Sequence, residues 1–197
     1  MDVGSRVVAW SDGNRFAVDA LTAALTGMIV LPMTALLGSA SRPMAFLLPG
    51  AMVAAMAWRR TRPAASAAVV HSAALAHILL GQPVLLPADL LVPWSFWSVL
   101  VHGPRWAGRV GLAGALAGSA MVGVQLASTP PAALAAGVGI ALVFLTTWSA
   151  GQARLARREA VDALRDRARR LEVERDQQAH LAAAAERARI AREMHDI

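Results

Sequence analysis

The sequence predicts an all-α integral membrane protein, in which about six transmembrane helices are followed by a cytoplasmic coiled-coil helix. Hydrophobic residues make up 56% of the chain and the mean hydropathy is +0.48, whereas soluble domains are about half apolar. Charge is also segregated, because the only charged residues within residues 64–151 are Asp89, Arg105 and Arg109. Beyond Gly151 charged residues become dense, and neither glycine nor proline interrupts the chain.

Six apolar stretches come near the length of about 20 residues that a helix needs to cross a bilayer. They are residues 18–37, 44–58, 64–80, 84–101, 110–127 and 132–150. The second stretch is short, and the fourth contains Asp89 and Pro93, two features that disfavour a membrane helix. Six of the prolines stand at the edges of the stretches, where a missing N–H does least harm.

The distribution of arginine predicts the orientation of these spans, because cytoplasmic loops carry an excess of positive charge. With the N-terminus inside, the predicted cytoplasmic segments before the tail hold Arg6, Arg15, Arg59, Arg60, Arg62, Arg105 and Arg109. The predicted external loops hold only Arg42. We therefore expect a cytoplasmic N-terminus (residues 1–17), a six-span domain (residues 18–151) and a multi-pass protein of the plasma membrane with both termini in the cytoplasm.

The charge and the cysteine content exclude several classes of protein. The formal net charge of +6 and the sequence pI of about 11.6 would suit a nucleic-acid-binding protein. The arginines flank lipid-length spans instead, so we expect contact with membrane lipid and no direct contact with nucleic acid. Since the chain has no cysteine, it has no disulfide and no thiolate metal site, and we expect no metal site.

Residues 152–185 predict a signalling coiled coil. A seam with alternating spacings of three and four residues is typical of paired helices. Its members are Val161, Leu164, Ala168, Leu171, Arg175, Gln178, Ala182 and Ala185. The seam is thin, and a helix with so thin a stripe is marginal alone, which favours a parallel homodimer. A long surface helix that pairs with nothing is the alternative.

The last residues carry a different stripe. Ile190, Met194 and Ile197 follow a spacing of four and three, which defines a buried helix face after a stutter in the seam. His195 lies about 100° round the helix from Met194, so it flanks that face and is predicted to be accessible. Arg192 precedes Asp196 by four residues and can pair with its carboxylate.

The segment Glu-Arg-Ala-Arg-Ile-Ala-Arg-Glu-Met-His-Asp-Ile, residues 186–197, closely resembles the phosphoacceptor motif of bacterial sensor histidine kinases. The resemblance is to the subfamily whose partner regulators bind DNA through a helix-turn-helix domain. Several spans followed by a short cytoplasmic coiled coil are also similar to actinobacterial members of that group. Met194 stands where such sequences more often have Leu, a volume-conserving difference.

The resemblance implies that His195 is the autophosphorylated residue and that Asp196 is the assisting base, with Glu193 as second choice and Arg192 as the partner of the acid. A neutral imidazole is nucleophilic near pH 7, and phosphoryl transfer depends chiefly on positioning. Residues 186–197 would begin a dimerisation and histidine phosphotransfer domain that is truncated here. ATP and Mg²⁺ would be bound by an absent C-terminal domain, so these 197 residues alone should be inactive.

The function that the resemblance implies is a membrane sensor histidine kinase of a two-component phosphorelay. It would be a homodimer that autophosphorylates on His195 and passes the phosphate to an aspartate of a cytoplasmic response regulator. The alternative from another class is a small multi-span transporter or membrane scaffold whose cytoplasmic helix only oligomerises.

Several residues within the spans leave alternatives open. Asp89 either faces the helix bundle or lies at the outer interface, because a lipid-exposed carboxylate is costly. His71 and His77 are packing or interfacial residues, or a metal or proton sensor. Gly114 and Gly118 form a spacing that permits close helix packing. Four tryptophans near span ends, Trp94, Trp97, Trp106 and Trp148, suit interfacial anchoring or the stacking of a ligand.

Overall fold

Every regular element of the described residues is helical, which confirms the all-α prediction. The computed structural model describes residues 10, 11, 13–37 and 44–195, and for residues 44, 45, 182–186 and 188–195 it describes the backbone alone. The long helices are α1 (Arg15–Leu37), α2 (Met44–Ala55), α3 (Pro63–Leu79), α4 (Leu91–His102), α5 (Arg105–Leu126) and α6 (Pro130–His195). Two 3₁₀ turns, Met56–Trp58 and Pro87–Leu90, follow α2 and precede α4.

The chain divides into two compact units, Met1–Gln152 and Ala153–Ile197. The first unit contains α1 to α5 and the beginning of α6. The second unit contains the remainder of α6.

Three helices are long and apolar enough to cross a membrane in the part of the chain that the structure describes. They are α1, α5 and the segment Pro130–Leu181 of α6. The segment Phe46–Trp58 and α3 are apolar but shorter. Helix α4 has 12 residues, which corresponds to about 18 Å and falls short of a hydrocarbon core of about 30 Å. Three spans are therefore supported by length and composition, fewer than the six predicted.

The fourth predicted span, residues 84–101, is wrong in its first part. Gly81 and Leu85 adopt left-handed backbone conformations, with φ of 63° and 62°, so no helix passes through this segment. Pro83 and Pro87 also lack the N–H groups that a continuous helix would need. The Leu86 N–H instead donates to Asp89 Oδ2 at 2.9 Å, which caps the 3₁₀ turn that leads into α4.

The first unit is held together by two apolar clusters. The larger one joins α1, α2, α3 and the start of α4, around the fully buried residues Met52, Val70 and Leu91. In the smaller one Phe96 of α4 meets Ala115 of α5 and Phe144 of α6, and the two phenyl rings pack edge to face at 5.8 Å. Helix α4 contributes to both clusters and so links the two halves of the unit.

Helix α5 packs tightly against α6 at Gly123. A Cβ on Gly123 would lie 2.5 Å from the Ala133 carbonyl oxygen and 2.8 Å from the Gly137 nitrogen, so only glycine fits there. A Cβ on Gly114 or Gly118 would meet nothing within 4 Å. The close packing that the spacing of Gly114 and Gly118 permits is therefore not found at these glycines within the described protomer.

Replacing Gly123 by alanine should destabilise the first unit, because the new methyl group collides with the backbone of α6. We expect the free energy of unfolding to fall by about 1–3 kcal/mol, the usual cost of overpacking. The measurement is a denaturant titration in detergent micelles. The matched control is Gly114→Ala, which has open space and should be neutral or stabilising, since alanine favours helix over glycine by about 1 kcal/mol. Equal effects of the two substitutions would contradict the packing described here.

Candidate functional site

A buried ion cluster fastens α1 to the turn between α2 and α3. Asp19 of α1 has a fully buried side chain (0% exposed), and its two neighbours, Arg59 and Arg60, are 16% and 19% exposed. Arg59 Nε donates to Asp19 Oδ1 at 3.0 Å, and Arg60 Nε donates to Oδ1 at 3.0 Å and to Oδ2 at 2.9 Å. We call these three residues the Asp19 cluster.

Asp19 requires its two arginine partners, because burying a carboxylate among apolar side chains destabilises the fold unless the carboxylate is paired and hydrogen-bonded. The two guanidinium groups together satisfy both carboxylate oxygens. They also leave the cluster with one net positive charge at the edge of the bundle. The arginine pair is available because α2 ends in the 3₁₀ turn Met56–Trp58, which brings both residues alongside α1.

Arg59 extends this link to α4. Its guanidinium carbon lies 4.6 Å from the centre of the Trp94 ring, a cation–π contact. Its backbone carbonyl accepts a hydrogen bond from Ser98 Oγ at 2.8 Å. The Asp19 cluster therefore connects α1, the turn after α2, and α4. For Trp94 the structure shows stacking on an arginine, whereas Trp148 packs in the smaller apolar cluster and Trp106 is exposed.

A cavity of about 780 Å³ lies within the first unit, between α1, α3, α5, α6 and the segment that starts α4. Its walls are mainly aliphatic and aromatic. The exceptions with polar side chains are His71, Ser72, His77, Asp89 and Ser119. We call it the Asp89 cavity. Of the two alternatives for Asp89, the structure shows the one in which the residue faces the helix bundle.

The hydrogen bonding of Asp89 is incomplete. Its Oδ2 accepts the Leu86 N–H, but its Oδ1 lies 3.7 Å from His77 Nδ1, which is beyond hydrogen-bond distance. The side chain of His77 is 6% exposed and that of Asp89 is 23% exposed. Oδ1 is therefore an acceptor without a hydrogen-bond donor in the described residues.

His71 adds a second unpaired acceptor near the same cavity. His71 Nδ1 lies 2.8 Å from the Ala67 carbonyl oxygen, which can only accept, so this nitrogen carries the proton. In the neutral ring Nε2 is then the acceptor, and it is buried without a hydrogen-bond partner in the described part of the chain. An unsatisfied buried acceptor costs about 1–3 kcal/mol of stability. Packing alone therefore does not explain the histidine at position 71.

The predicted phosphoacceptor residues lie at the end of α6. His195 is the last residue of this helix, and Arg192 and Glu193 belong to its last turn. Their side chains lie outside the described structure, and Asp196 lies outside the described residues altogether. The predicted partnership of His195 with Asp196 therefore stays a prediction. No group of three or more histidine and acidic residues suited to a metal occurs among the residues described.

The second unit presents the seam of the predicted coiled coil as an uncovered face. Leu164 and Leu171 are exposed in the single chain. Ion pairs run along the same helix, from Arg165 to Asp162 at 3.2 Å and from Arg169 to Asp166 at 3.9 Å. Such exposed pairs contribute little to stability, so they do not by themselves explain the long helix.

These features define an all-helical protein with several apolar helices of membrane-spanning length and an ion-paired helix bundle. Residues 7–158 match the family described as a domain of unknown function, DUF7134. Because the match covers more than half of the chain, the protein belongs to that family. Among curated proteins and among solved structures, none matches the chain.

Sequence reasoning missed the Asp19 cluster because Asp19 falls inside the first predicted span. A signal was present, since the arginine pattern puts the start of the first span and the Arg59–Arg60 pair at the same membrane edge. A lone carboxylate at that edge of an apolar helix needs a cation, and three arginines were available in the next predicted cytoplasmic segment.

Replacing Asp19 by asparagine should strongly destabilise the first unit, because the substitution leaves two partly buried guanidinium groups without a counter-charge. We expect a loss of about 3 kcal/mol or more in the free energy of unfolding, measured by denaturant titration in micelles. The control is Asp162→Asn, whose pair with Arg165 is 69% exposed on both sides and should change stability by less than about 0.5 kcal/mol. A neutral Asp19→Asn would show that the cluster does not hold the bundle.

Proposed function

We propose that this protein is the sensing and coupling part of a membrane histidine kinase of a two-component system. The observation that carries the proposal is the motif at residues 186–197, which resembles a phosphoacceptor box and coincides with the end of a long helix. In the proposed reaction, the neutral imidazole of His195 attacks the γ-phosphorus of ATP, the bond from that phosphorus to the β–γ bridging oxygen breaks, and ADP leaves. Asp196 accepts the proton of the other ring nitrogen, or Glu193 does so in its place.

The proposed topology has six helices passing through or into the plasma membrane, with both termini in the cytoplasm. The arginine distribution supports this topology. The Asp19 cluster supports it too, because Asp19 near the start of the first predicted span pairs with Arg59 and Arg60, which the topology assigns to the same cytoplasmic edge. The outer surface of the first unit also supports it. Large apolar side chains such as Met28, Leu36 and Val124 are exposed, as expected of helices that face lipid. The short helices α2 and α4 contribute Met52 and Leu91 to the larger apolar cluster, so both pack against the other helices of the bundle.

The proposed signalling unit is a homodimer paired through the seam of α6. A stimulus that alters the packing of the spans would change the pairing or register of the seam and thereby the presentation of His195 to ATP. The phosphate would then pass to an aspartate of a cytoplasmic response regulator. The proposal assigns ATP and Mg²⁺ to a catalytic domain outside these residues, and none of the described side chains has a role in binding them.

Phosphorylation of His195 can be tested in a chimaera in which Ile197 continues into the dimerisation hairpin and ATP-binding domain of a histidine kinase of the resembled family. With labelled ATP we expect acid-labile, base-stable label on the chimaera. His195→Gln should abolish the label, because no other residue of this chain is proposed as the acceptor.

The matched control is His180→Gln, which removes another histidine of the same helix and should leave the label intact. Asp196→Asn should slow labelling by about 10²-fold or more, the usual contribution of a general base. Label that persists in His195→Gln would contradict the proposal. An unlabelled but folded and dimeric chimaera would also contradict it and would favour the small multi-span transporter or scaffold.

Pairing through the seam can be tested by disulfide crosslinking, since the chain has no cysteine of its own. Leu171 lies on the predicted seam and Val173 on the opposite face, and both are 56% exposed in the single chain. Oxidation in membranes should convert Leu171→Cys to a covalent dimer and leave Val173→Cys monomeric. Equal crosslinking of both variants, or of neither, would contradict the parallel dimer.

A further inference from the structure

The Asp89 cavity has the size and composition of a small-molecule site. Its volume of about 780 Å³ lies within the range of about 300–1,000 Å³ that is common for ligand pockets. Such pockets combine apolar walls with a few placed polar groups, as this one does. Asp89 is the one carboxylate among the lining residues that the structure describes, and none of those residues is an arginine.

The charge of Asp89 decides which ligand the cavity suits. A carboxylate among apolar walls needs a counter-charge, and no donor of the described residues lies within hydrogen-bond distance of Asp89 Oδ1. The arginines Arg59 and Arg60 are committed to Asp19. His77 is the one titratable neighbour that the structure places near Oδ1, and it stops at 3.7 Å. A protonated amine would supply both the missing charge and the missing N–H donors.

We infer that the Asp89 cavity binds an amphiphilic primary amine, with an apolar body against the helices and its ammonium group on Asp89 Oδ1. Leu85 and Leu90, which flank this part of the chain, also line the cavity and provide apolar surface next to the carboxylate. In the proposed topology the cavity opens in the outer half of the membrane, where such a molecule would arrive from outside the cell. Binding of a ligand in the Asp89 cavity does not depend on the role proposed for His195, so the two proposals are tested separately.

A larger side chain introduced on the α5 wall can fill the cavity without disturbing the fold. Gly118 lines the cavity, and a Cβ on it would meet nothing within 4 Å. A leucine at this position should therefore occupy ligand space. Gly139 has the same open surroundings but is not among the lining residues, so Gly139→Leu is a matched control.

The experiment is equilibrium dialysis of labelled 1-aminoadamantane against the protein in phosphatidylcholine nanodiscs, with empty nanodiscs subtracted. 1-Hydroxyadamantane, which has the same apolar body without the charge, is the comparison ligand. We expect saturable binding of the amine and weaker binding of the alcohol. Asp89→Asn should weaken binding of the amine by about tenfold or more and leave the alcohol unchanged, since a charge-assisted hydrogen bond is lost. The asparagine oxygen can still accept the Leu86 N–H, so the local fold should survive.

Gly118→Leu should abolish binding of the amine, while Gly139→Leu should bind like the unmodified protein. Competition by phosphatidylethanolamine, whose head carries a primary amine, would assign the natural ligand to the lipid, whereas absence of competition would assign it to a free amine. The inference is overturned by equal binding of amine and alcohol, by an Asp89→Asn variant that binds the amine normally, or by a Gly118→Leu variant that still binds it. Absence of saturable binding above empty nanodiscs would overturn it as well.

Discussion

The arrangement of the first unit depends on the neutralisation of one buried carboxylate. Asp19 is fully buried in an apolar bundle, and both of its oxygens are occupied by the guanidinium groups of Arg59 and Arg60. Breaking either pair would leave charge in surroundings that solvate it poorly, so α1 and the turn after α2 must stay together. Arg59 then positions α4 through Trp94 and Ser98. Helix α4 in turn presents Phe96 to α5 and α6.

The same arrangement creates the Asp89 cavity. Helix α4 is short because the chain before it turns through Gly81 and Leu85 and restarts at a 3₁₀ turn capped by Asp89. The residue that caps the turn is also the charged group of the cavity, so any molecule bound there would contact the start of α4. Under the proposed function, this is a route by which a ligand could alter the packing of the spans.

The structural features predicted from the sequence are those that depend on a local pattern of residues. The features that were missed depend on contacts between segments of the chain. Apolar runs and proline positions predicted helices that agree with α1, α3 and α5 to within a few residues, because both signals are local. The prediction of a helix failed for the first part of residues 84–101, because apolar composition does not distinguish a helix from an apolar loop. The Asp19 cluster and the contact of Gly123 with α6 join residues far apart in the chain, and no periodicity reports such contacts.

The predicted site divides in the same way. Asp89, His71 and His77 could be singled out from the sequence as polar residues within apolar spans, and the structure places all three around one cavity. Their shared location could not be derived, because it depends on how α3 packs against the start of α4. His195 and its neighbours were found by resemblance, and the structure adds that α6 extends to His195.

The proposed function requires that the first unit lies in the membrane with the α6 tail on the cytoplasmic side. Since the chain has no cysteine, single cysteines can be placed at Thr61, Ser128 and Arg158, three exposed positions, and treated with a membrane-impermeant maleimide on intact cells. The proposed topology predicts that Ser128→Cys is labelled in intact cells and that Thr61→Cys and Arg158→Cys are labelled only after lysis. Labelling of Arg158→Cys in intact cells would contradict it, because the helix that carries His195 would then lie on the side of the membrane without ATP.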